Sequence, residues 1–255
     1  MSKILENKVA VITGGGTGIG AAIADMFADE GAHVVVSGRS LETISEVAMR
    51  NNGTAIVCDV SKFDQVQALF NKAQLITGSV DILVNNAGVP GPVATIAEVN
   101  VDQWRNCAEI NLFGAMYCMR EAARIMCDQK SGSIINMSSL MGIEGYPMRS
   151  AYCATKFAMV GMTEAVAREV GPDNVRVNSL LPGAVSGKNM DRILERRAKV
   201  EGRPVEDIIK ENYSDPAALK RWVAPEEVAK AALFYASDAS SAVTGDKMKV
   251  DCGRF

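Results

Sequence analysis

Seven short apolar, β-branched runs recur along the chain: Val9 to Thr13, His33 to Ser37, Thr54 to Cys58, Ile82 to Asn85, Ser133 to Met137, Val175 to Leu181 and Met248 to Val250. Between them, apolar positions return every three or four residues in Ile19 to Glu30, Leu41 to Arg50, Phe63 to Thr77, Val101 to Asp128, Tyr152 to Val170 and Pro225 to Ala236. The first pattern predicts strands and the second helices. Their alternation predicts a parallel sheet with crossover helices. The run VVV at 34–36 has no polar face, so its strand should be covered on both sides. Gly171-Pro172 ends one helix, and Pro225 suits the first turn of another. No repeat or low-complexity linker divides the chain, which predicts one α/β domain over residues 1–255 with a seven-stranded parallel sheet and helices on both faces. Residues 184–223 break the rhythm, and such long excursions serve as lids or binding segments.

Composition narrows the function. Of 255 residues, 48% are hydrophobic and 22% charged, which excludes a disordered or collagen-like chain. A net charge of −3 gives no sign of a nucleic-acid or membrane-surface partner. No apolar run approaches the roughly 18 residues of a membrane span, and the N-terminus lacks an export-signal pattern. The six cysteines form no C-x-x-C pair and read as reduced thiols of a cytoplasmic protein. His33 is the single histidine, so a His-rich metal site is excluded and no metal is expected.

Residues 9–20 read VAVITGGGTGIG, a strand running into glycines and then into an alanine-rich helix. Such a turn lets backbone N–H groups approach a pyrophosphate at a helix N-terminus, where the dipole favours anions. The spacing is T-G-x-x-x-G-x-G rather than G-x-G-x-x-G, and a ligand-free glycine turn is the competing reading. Its place at the first strand–helix junction favours a nucleotide, with Gly14, Thr17, Gly18, Ile19 and Gly20 as candidate contacts. About 20 residues further on, dinucleotide sites recognise the adenosine ribose. Here Gly38 is followed by Arg39 and Ser40, with no carboxylate to repel a 2′-phosphate. NADP(H) is favoured by that guanidinium, and NAD(H) remains possible if Arg39 is only a solvated loop residue.

Tyr152 and Lys156 are four apart in a helical stretch and share one face. A free phenol titrates at about 10. An ammonium about 4 Å away, at an effective dielectric of about 20, favours the phenolate by roughly 4 kcal/mol, or about 3 pKa units. The phenol is therefore predicted to titrate close to neutrality, where acid/base exchange works best. Coincidence would explain Y-x-x-x-K alone; the glycine turn in the same chain makes the pair more specific.

With these residues in place, the chain resembles the short-chain dehydrogenase/reductase family in its compact single-domain branch, from about Lys8 to Val250. The resemblance rests on TGGGTGIG at 13–20, CDV at 58–60, NNAG at 85–88, Asn111 within INLFG, the serine pair ending at Ser139, YCATK at 152–156 and LPG at 181–183. It implies a doubly wound Rossmann-type domain and hydride transfer between a nicotinamide and a secondary alcohol or ketone. It further implies that Tyr152 is the acid/base and that Lys156 lowers its pKa and holds the nicotinamide ribose. Ser139 would bond the substrate oxygen, with Ser138 as competitor, and Asn111 would sit in a helix irregularity supporting a water relay to Lys156. Asp59 and Val60 would line the adenine pocket, Asn85 would brace the central strands, and Ala87 and Gly88 would pass close to the cofactor. Pro182, Gly183 and Val185 would flank the nicotinamide. For Asp59 and Asn85 a strand-end cap is the rival. Two departures stand out: Gly187 lies where the family commonly has a nicotinamide-binding threonine, leaving Ser186 as substitute, and Cys252 lies where it often has glycine.

The function implied is an NAD(P)(H)-dependent oxidoreductase acting on a small-molecule alcohol or ketone; alternatives are a 3-oxoacyl thioester reductase and a non-catalytic nucleotide-binding regulator. Enoyl-reducing relatives separate Tyr and Lys more widely, and Met159 stands where the longer spacing needs its lysine. Substrate choice should lie in 184–223 and in the loop from Leu140 to Arg149. Between Ser186 and Arg203, six basic residues (Lys188, Arg192, Arg196, Arg197, Lys199, Arg203) face three acidic ones, which attracts anions or simply solvates a helix. Met141, Ile143 and Met148 would suit a hydroxysteroid or an acyl chain. The family also implies a homotetramer through the two long helices carrying Asn111 and Tyr152, whose apolar stretches at 112–119 and 157–162 fit an interface or a buried core equally.

Overall fold

The computed structural model describes residues 3–187, 190, 191, 194, 195, 198, 199 and 202–254. Seven strands form one parallel sheet in the order β3-β2-β1-β4-β5-β6-β7, where β1 is Val9–Thr13, β2 His33–Gly38, β3 Thr54–Val57, β4 Ile82–Asn85, β5 Gly132–Met137, β6 Val175–Pro182 and β7 Lys247–Val250. The order reverses between β1 and β4, and such a switch point opens a crevice beyond the carboxyl ends of the strands.

Successive strand residues bury opposite faces. Ala10, Ile12, Val34, Val36 and Val84 pack in one core with helices α1 (Gly18–Asp29), α2 (Leu41–Arg50) and α8 (Pro225–Ala236). Val9, Val11, Val35, Leu83 and Ile134 pack in the other with α3 (Phe63–Thr77) and α5 (Gly114–Gln129). Helix α6 (Ser150–Val170) closes that side. Each such aliphatic side chain stabilises the fold by about 1.5–3 kcal/mol. That outweighs the roughly 1 kcal/mol of a helix cap, so the two-sided apolar runs fix the topology. His33 begins β2 and bonds through Nε2 to Thr54 Oγ1 at 2.9 Å, tying β2 to β3.

The helix expected through 101–128 is interrupted. Helix α4 (Val101–Ala108) passes into a π-helical turn at Glu109–Phe113 before α5 begins. Apolar spacing alone does not resolve one extra residue in a turn.

The excursion at 184–223 is stitched at its base. Val223 N–H donates to Ala184 O at 3.0 Å and Ser186 N–H to Val223 O at 2.9 Å. It includes the short helix α7 (Val205–Ile209) and a π turn at Lys210–Ser214. The C-terminal tail runs alongside: Ala218 N–H donates to Gly253 O at 2.9 Å, and Leu219 N–H to Cys252 O at 3.0 Å. Cys252 has φ +57°, a left-handed backbone that glycine adopts without strain. Of the charged residues counted in this excursion, Lys188, Arg192, Arg196, Arg197 and Glu201 lie outside the described residues. No described helix is long and apolar enough to cross a membrane.

Candidate active site

Two contiguous cavities occupy the crevice. One, of about 510 Å³, is lined by the turn from Gly14 to Ile19, by Arg39 and Ser40, and by Asp59 and Val60. The other, of about 470 Å³, is lined by Ser139, Tyr152, Lys156, Pro182, Gly183 and Val185. Ile19, Asn86, Gly88 and Val89 belong to both.

The first cavity is built from close backbone approach. Gly14 has φ +62°, and a Cβ there would lie 2.9 Å from Ala87 Cα; one on Gly20 would lie 2.4 Å from the Gly14 carbonyl oxygen. Side chains at either position would force the turn and the loop after β4 apart. Thr17 precedes α1 without a side-chain cap, so the first-turn N–H groups of a 12-residue helix face the cavity unopposed. Those donors and that shape fit the pyrophosphate of a nicotinamide dinucleotide, which the site would hold between the glycine turn and Lys156. Ser40 Oγ accepts from Thr43 N at the start of α2, and Arg39 is exposed beside it. Asp59 lines the cavity while its Oδ1 accepts from Ser61 N at 3.0 Å and Ser61 Oγ at 2.8 Å, so it also caps a turn.

Two residues that drew no role from the sequence hold this geometry. Thr13 Oγ1 accepts from the N–H groups of Asn86 and Ala87, each at 3.1 Å. Asn86 Nδ2 donates to the carbonyls of Thr13 and Gly14, each at 3.0 Å. The glycine turn and the loop after β4 are thereby laced together. Both residues stand inside the quoted motifs, and that was the only available signal. Asn85 lines neither cavity: it is buried, donating to Ala115 O at 3.2 Å and Asn136 Oδ1 at 3.0 Å. These bonds suit the brace that the resemblance implies; a direct cofactor contact, for which Asn85 is also a candidate, does not match its position, because the pleat turns it towards α5 while Asn86 turns into the crevice.

In the second cavity the adjacent serines separate by role. Ser138 is buried and its hydroxyl donates to Lys156 O at 2.9 Å, anchoring α6 to β5. Ser139 caps the short helix at Leu140–Gly142, with Oγ accepting from Met141 N at 3.1 Å, and its hydroxyl faces Tyr152. Lys156 is buried; its Nζ donates to Met137 O at 2.6 Å, beyond the last β4–β5 pair, and lies 5.5 Å from the Tyr152 ring centroid. Asn111, in the π turn, accepts from Val89 N at 2.7 Å and donates to Val89 O at 2.9 Å. Its amide thus clamps the loop after β4 rather than bonding Lys156. A Cβ on Gly88 would lie 3.2 Å from Asn111 Oδ1, a tight contact, and 3.9 Å from Lys156 Nζ, so the loop passes close to both.

The electrostatics differ from the sequence expectation. Burial pushes the Tyr152 phenol above its usual value, against the downward pull of the Ser139 hydroxyl and the Arg149 guanidinium. Burial also pushes the Lys156 ammonium down to about 8. The expected lowering of Tyr152 by Lys156 is not what this geometry gives, because the ammonium is directed at the Met137 carbonyl. The Ser186 hydroxyl donates to Val223 O at 3.3 Å, and neither Ser186 nor Gly187 is among the cavity-lining residues. The phenol, hydroxyl and ammonium together can orient a carbonyl or hydroxyl oxygen and exchange one proton with it.

Comparisons with known proteins agree with this geometry. The family model described as enoyl-(acyl carrier protein) reductase matches residues 14–254. The chain is 37% identical to the 3-oxoacyl-[acyl-carrier-protein] reductase FabG of Chlamydia trachomatis serovar D, over 99% of each chain. It is 36% identical to the meso-2,3-butanediol dehydrogenase of Serratia marcescens, over 97% of this chain and 94% of that one. The solved structure of an NAD+-bound xylitol dehydrogenase superposes with a TM-score of 0.89 at 28% identity, covering 98% of this chain and 99% of that one.

Proposed function

The chain belongs to the short-chain dehydrogenase/reductase family, and on that footing we propose that it interconverts a secondary alcohol and a ketone, with Tyr152 exchanging the proton. The observation carrying this reading is the convergence of Ser139, Tyr152 and Lys156 on a cavity continuous with the glycine-turn crevice. A bound nicotinamide supplies or accepts the hydride. The protein does the rest: Ser139 orients the oxygen, the Tyr152 phenol gives its proton to the developing alkoxide, and Lys156 would hold the nicotinamide ribose beside them. Oxidation reverses each step. The one-turn spacing of Tyr152 and Lys156 favours carbonyl over enoyl reduction, although the matching family model is described by the latter. Coenzyme oxidation by the purified chain, against neutral ketones, oxo acids, a 3-oxoacyl thioester and an enoyl thioester, tests the assignment. Turnover of the enoyl thioester alone would refute it.

For the cofactor, Arg39 at the crevice supports NADP(H) over NAD(H). Arg39→Ala should raise the KM for NADPH by roughly 10-fold or more and leave that for NADH within about 2-fold, since a charge-assisted bond to phosphate is lost in one case only. Equal effects on both coenzymes would remove the arginine from phosphate recognition. The described residues of the excursion are read as a lid over the substrate, a reading supported by Met190 and Tyr213 lining the cavity.

A homotetramer through α5 and α6 is supported by Phe113, at the end of the π turn that leads into α5, and by Phe157 in α6, respectively 41% and 45% exposed. Light scattering should give a mass four times the 27.2 kDa chain; a monomer would end that proposal. The six cysteines are unpaired, and burial raises the Cys58 thiol to about 11, which supports a reducing cytoplasm and unreactive thiols. Cell fractionation checks the location.

A further inference from the structure

Arg149 comes from the end of the loop after β5, immediately before α6, and lines the cavity that holds Ser139 and Tyr152. Its guanidinium carbon lies 5.1 Å from the Tyr152 ring centroid. One arm is anchored, Nη2 donating to Pro90 O at 2.9 Å, while Nε is buried without a hydrogen-bond partner. The preceding Met148 has φ +63°, a strained conformation for a side-chain-bearing residue, and its carbonyl accepts from Ala94 N at 3.1 Å. The arginine is therefore held in place rather than trailing in solvent.

A second arginine, from the far end of the chain, lines the same cavity. Arg254 pairs by a β-bridge with Ala217, beside the bonds that hold Gly253 and Cys252 to the lid, and lines the same cavity with Tyr213 of the π turn. It makes no ion pair among the described residues. Among the described residues, no aspartate or glutamate lines this cavity. Asp251 is not among the lining residues: its Oδ1 accepts from Gly253 N at 3.0 Å, and its buried Oδ2 lies 3.8 Å from Lys249 Nζ.

Two lining arginines, one with a desolvated and unused N–H, beside a buried ammonium and no carboxylate among the described lining residues, leave the cavity short of negative charge. We propose that the substrate of this site is a short oxo or hydroxy acid whose carboxylate is held by Arg149 and Arg254 while its carbonyl or alcohol carbon faces Tyr152 and Ser139. The proposal rests on the oxidoreductase reading above and names its substrate class. The step is balanced as before: hydride from the reduced nicotinamide to the carbonyl carbon, proton from Tyr152 to its oxygen, the substrate reduced and the coenzyme oxidised. The carboxylate is bound throughout and does not react. A cavity of about 470 Å³ that must also admit the nicotinamide suits an acid of a few carbons.

The test uses the full chain with matched pairs: 2-oxobutanoate, 3-oxobutanoate and 4-oxopentanoate, each against its amide, with neutral ketones and a phosphorylated hydroxyketone alongside. One acid should exceed its amide in kcat/KM by roughly 10- to 100-fold, the range of a charge-assisted bond or two. Arg149→Met should bring that ratio to within about 3-fold of unity, Arg149→Lys should restore part of it, and Arg254→Gln should lower it. The ratio is internal to each variant, so a general loss of activity does not imitate the result. The wild-type ratio alone decides if a variant fails to fold. The proposal is overturned if wild type reduces neutral ketones with no preference for any acid, if both arginine substitutions leave the ratio unchanged, or if the phosphorylated ketone alone is selected. Failure to reduce any carbonyl compound would instead bring down the oxidoreductase reading beneath it.

Discussion

Tyr152→Phe should abolish turnover, by roughly 10³-fold or more in kcat, while leaving coenzyme affinity within about 3-fold of wild type. The substitution deletes one oxygen and keeps the ring, which is what packs against the Arg149 guanidinium at 5.1 Å and beneath Lys156 Nζ at 5.5 Å. Lys156 stays in place because its bond runs to Met137 O and not to the phenol, and Ser139, though it loses the phenol, keeps its bond from Met141 N. What is lost is the proton itself. Because burial pushes the Tyr152 phenol upward, it holds that proton throughout the neutral range, the state ketone reduction needs. Steady-state rates together with fluorescence titration of reduced coenzyme separate the two effects. Turnover within tenfold of wild type would show that another group moves the proton, and Tyr152 would lose its role.

Lys156→Met should be nearly as damaging to turnover, by about 10²- to 10³-fold, yet close to neutral for folding. The lysine is buried, and its ammonium is pushed down from 10.5 to about 8 by that burial. A shift of this size is on the order of 3 kcal/mol against the charged form. The charge-assisted bond to Met137 O returns roughly 1.5–3 kcal/mol, so the two nearly cancel, and methionine fills the volume without a charge. The pH dependence carries a definite sign. Below about 8 both folded and unfolded chains hold the lysine proton and the burial cost is fully present. Between about 8 and 10.5 only the unfolded chain holds it, so wild-type stability rises with pH relative to the variant across that window. Denaturant titrations of both proteins at pH 7 and at higher pH measure the difference. A gap that stays constant, or that moves in the variant's favour, would mean that the lysine is not buried as described.

Much of this architecture was legible in the chain because it rests on two-sided burial. A run such as VAVIT at 9–13 has one stable use, an inner strand, and the same reading held for β2 and β6. The glycine turn and the Tyr152–Lys156 pair were legible for a related reason: close approach and shared helix face are local requirements, visible in spacing. What the sequence withheld depends on orientation or on long-range meeting. Ser138 and Ser139 are chemically identical neighbours, and only the turn at the end of β5 sends one hydroxyl to the α6 backbone and the other to the phenol. Lys156 was expected to act on Tyr152, but a flexible four-carbon stem reaches a carbonyl that no spacing rule locates. Arg149 and Arg254 line one cavity from distant parts of the chain, and the lacing of Thr13 to Asn86 crosses from β1 to the end of β4. Nothing local announces either pairing.

The π turn at Glu109–Phe113 can be put as a matter of phase. An α-helix advances about 100° per residue, so one extra residue rotates everything beyond it by about that angle relative to everything before. Helix α4 accordingly presents its side to α6, whereas α5, along nearly the same axis, presents a differently placed stripe to α3 and β5. A single apolar stripe traced through both is blurred, for it belongs to two helices offset by a fraction of a turn. Asn111 stands at the discontinuity, where a side chain is freed to replace a strand partner for Val89. Deleting one residue from this turn would bring the halves back into step and swing the amide away from the loop it now holds.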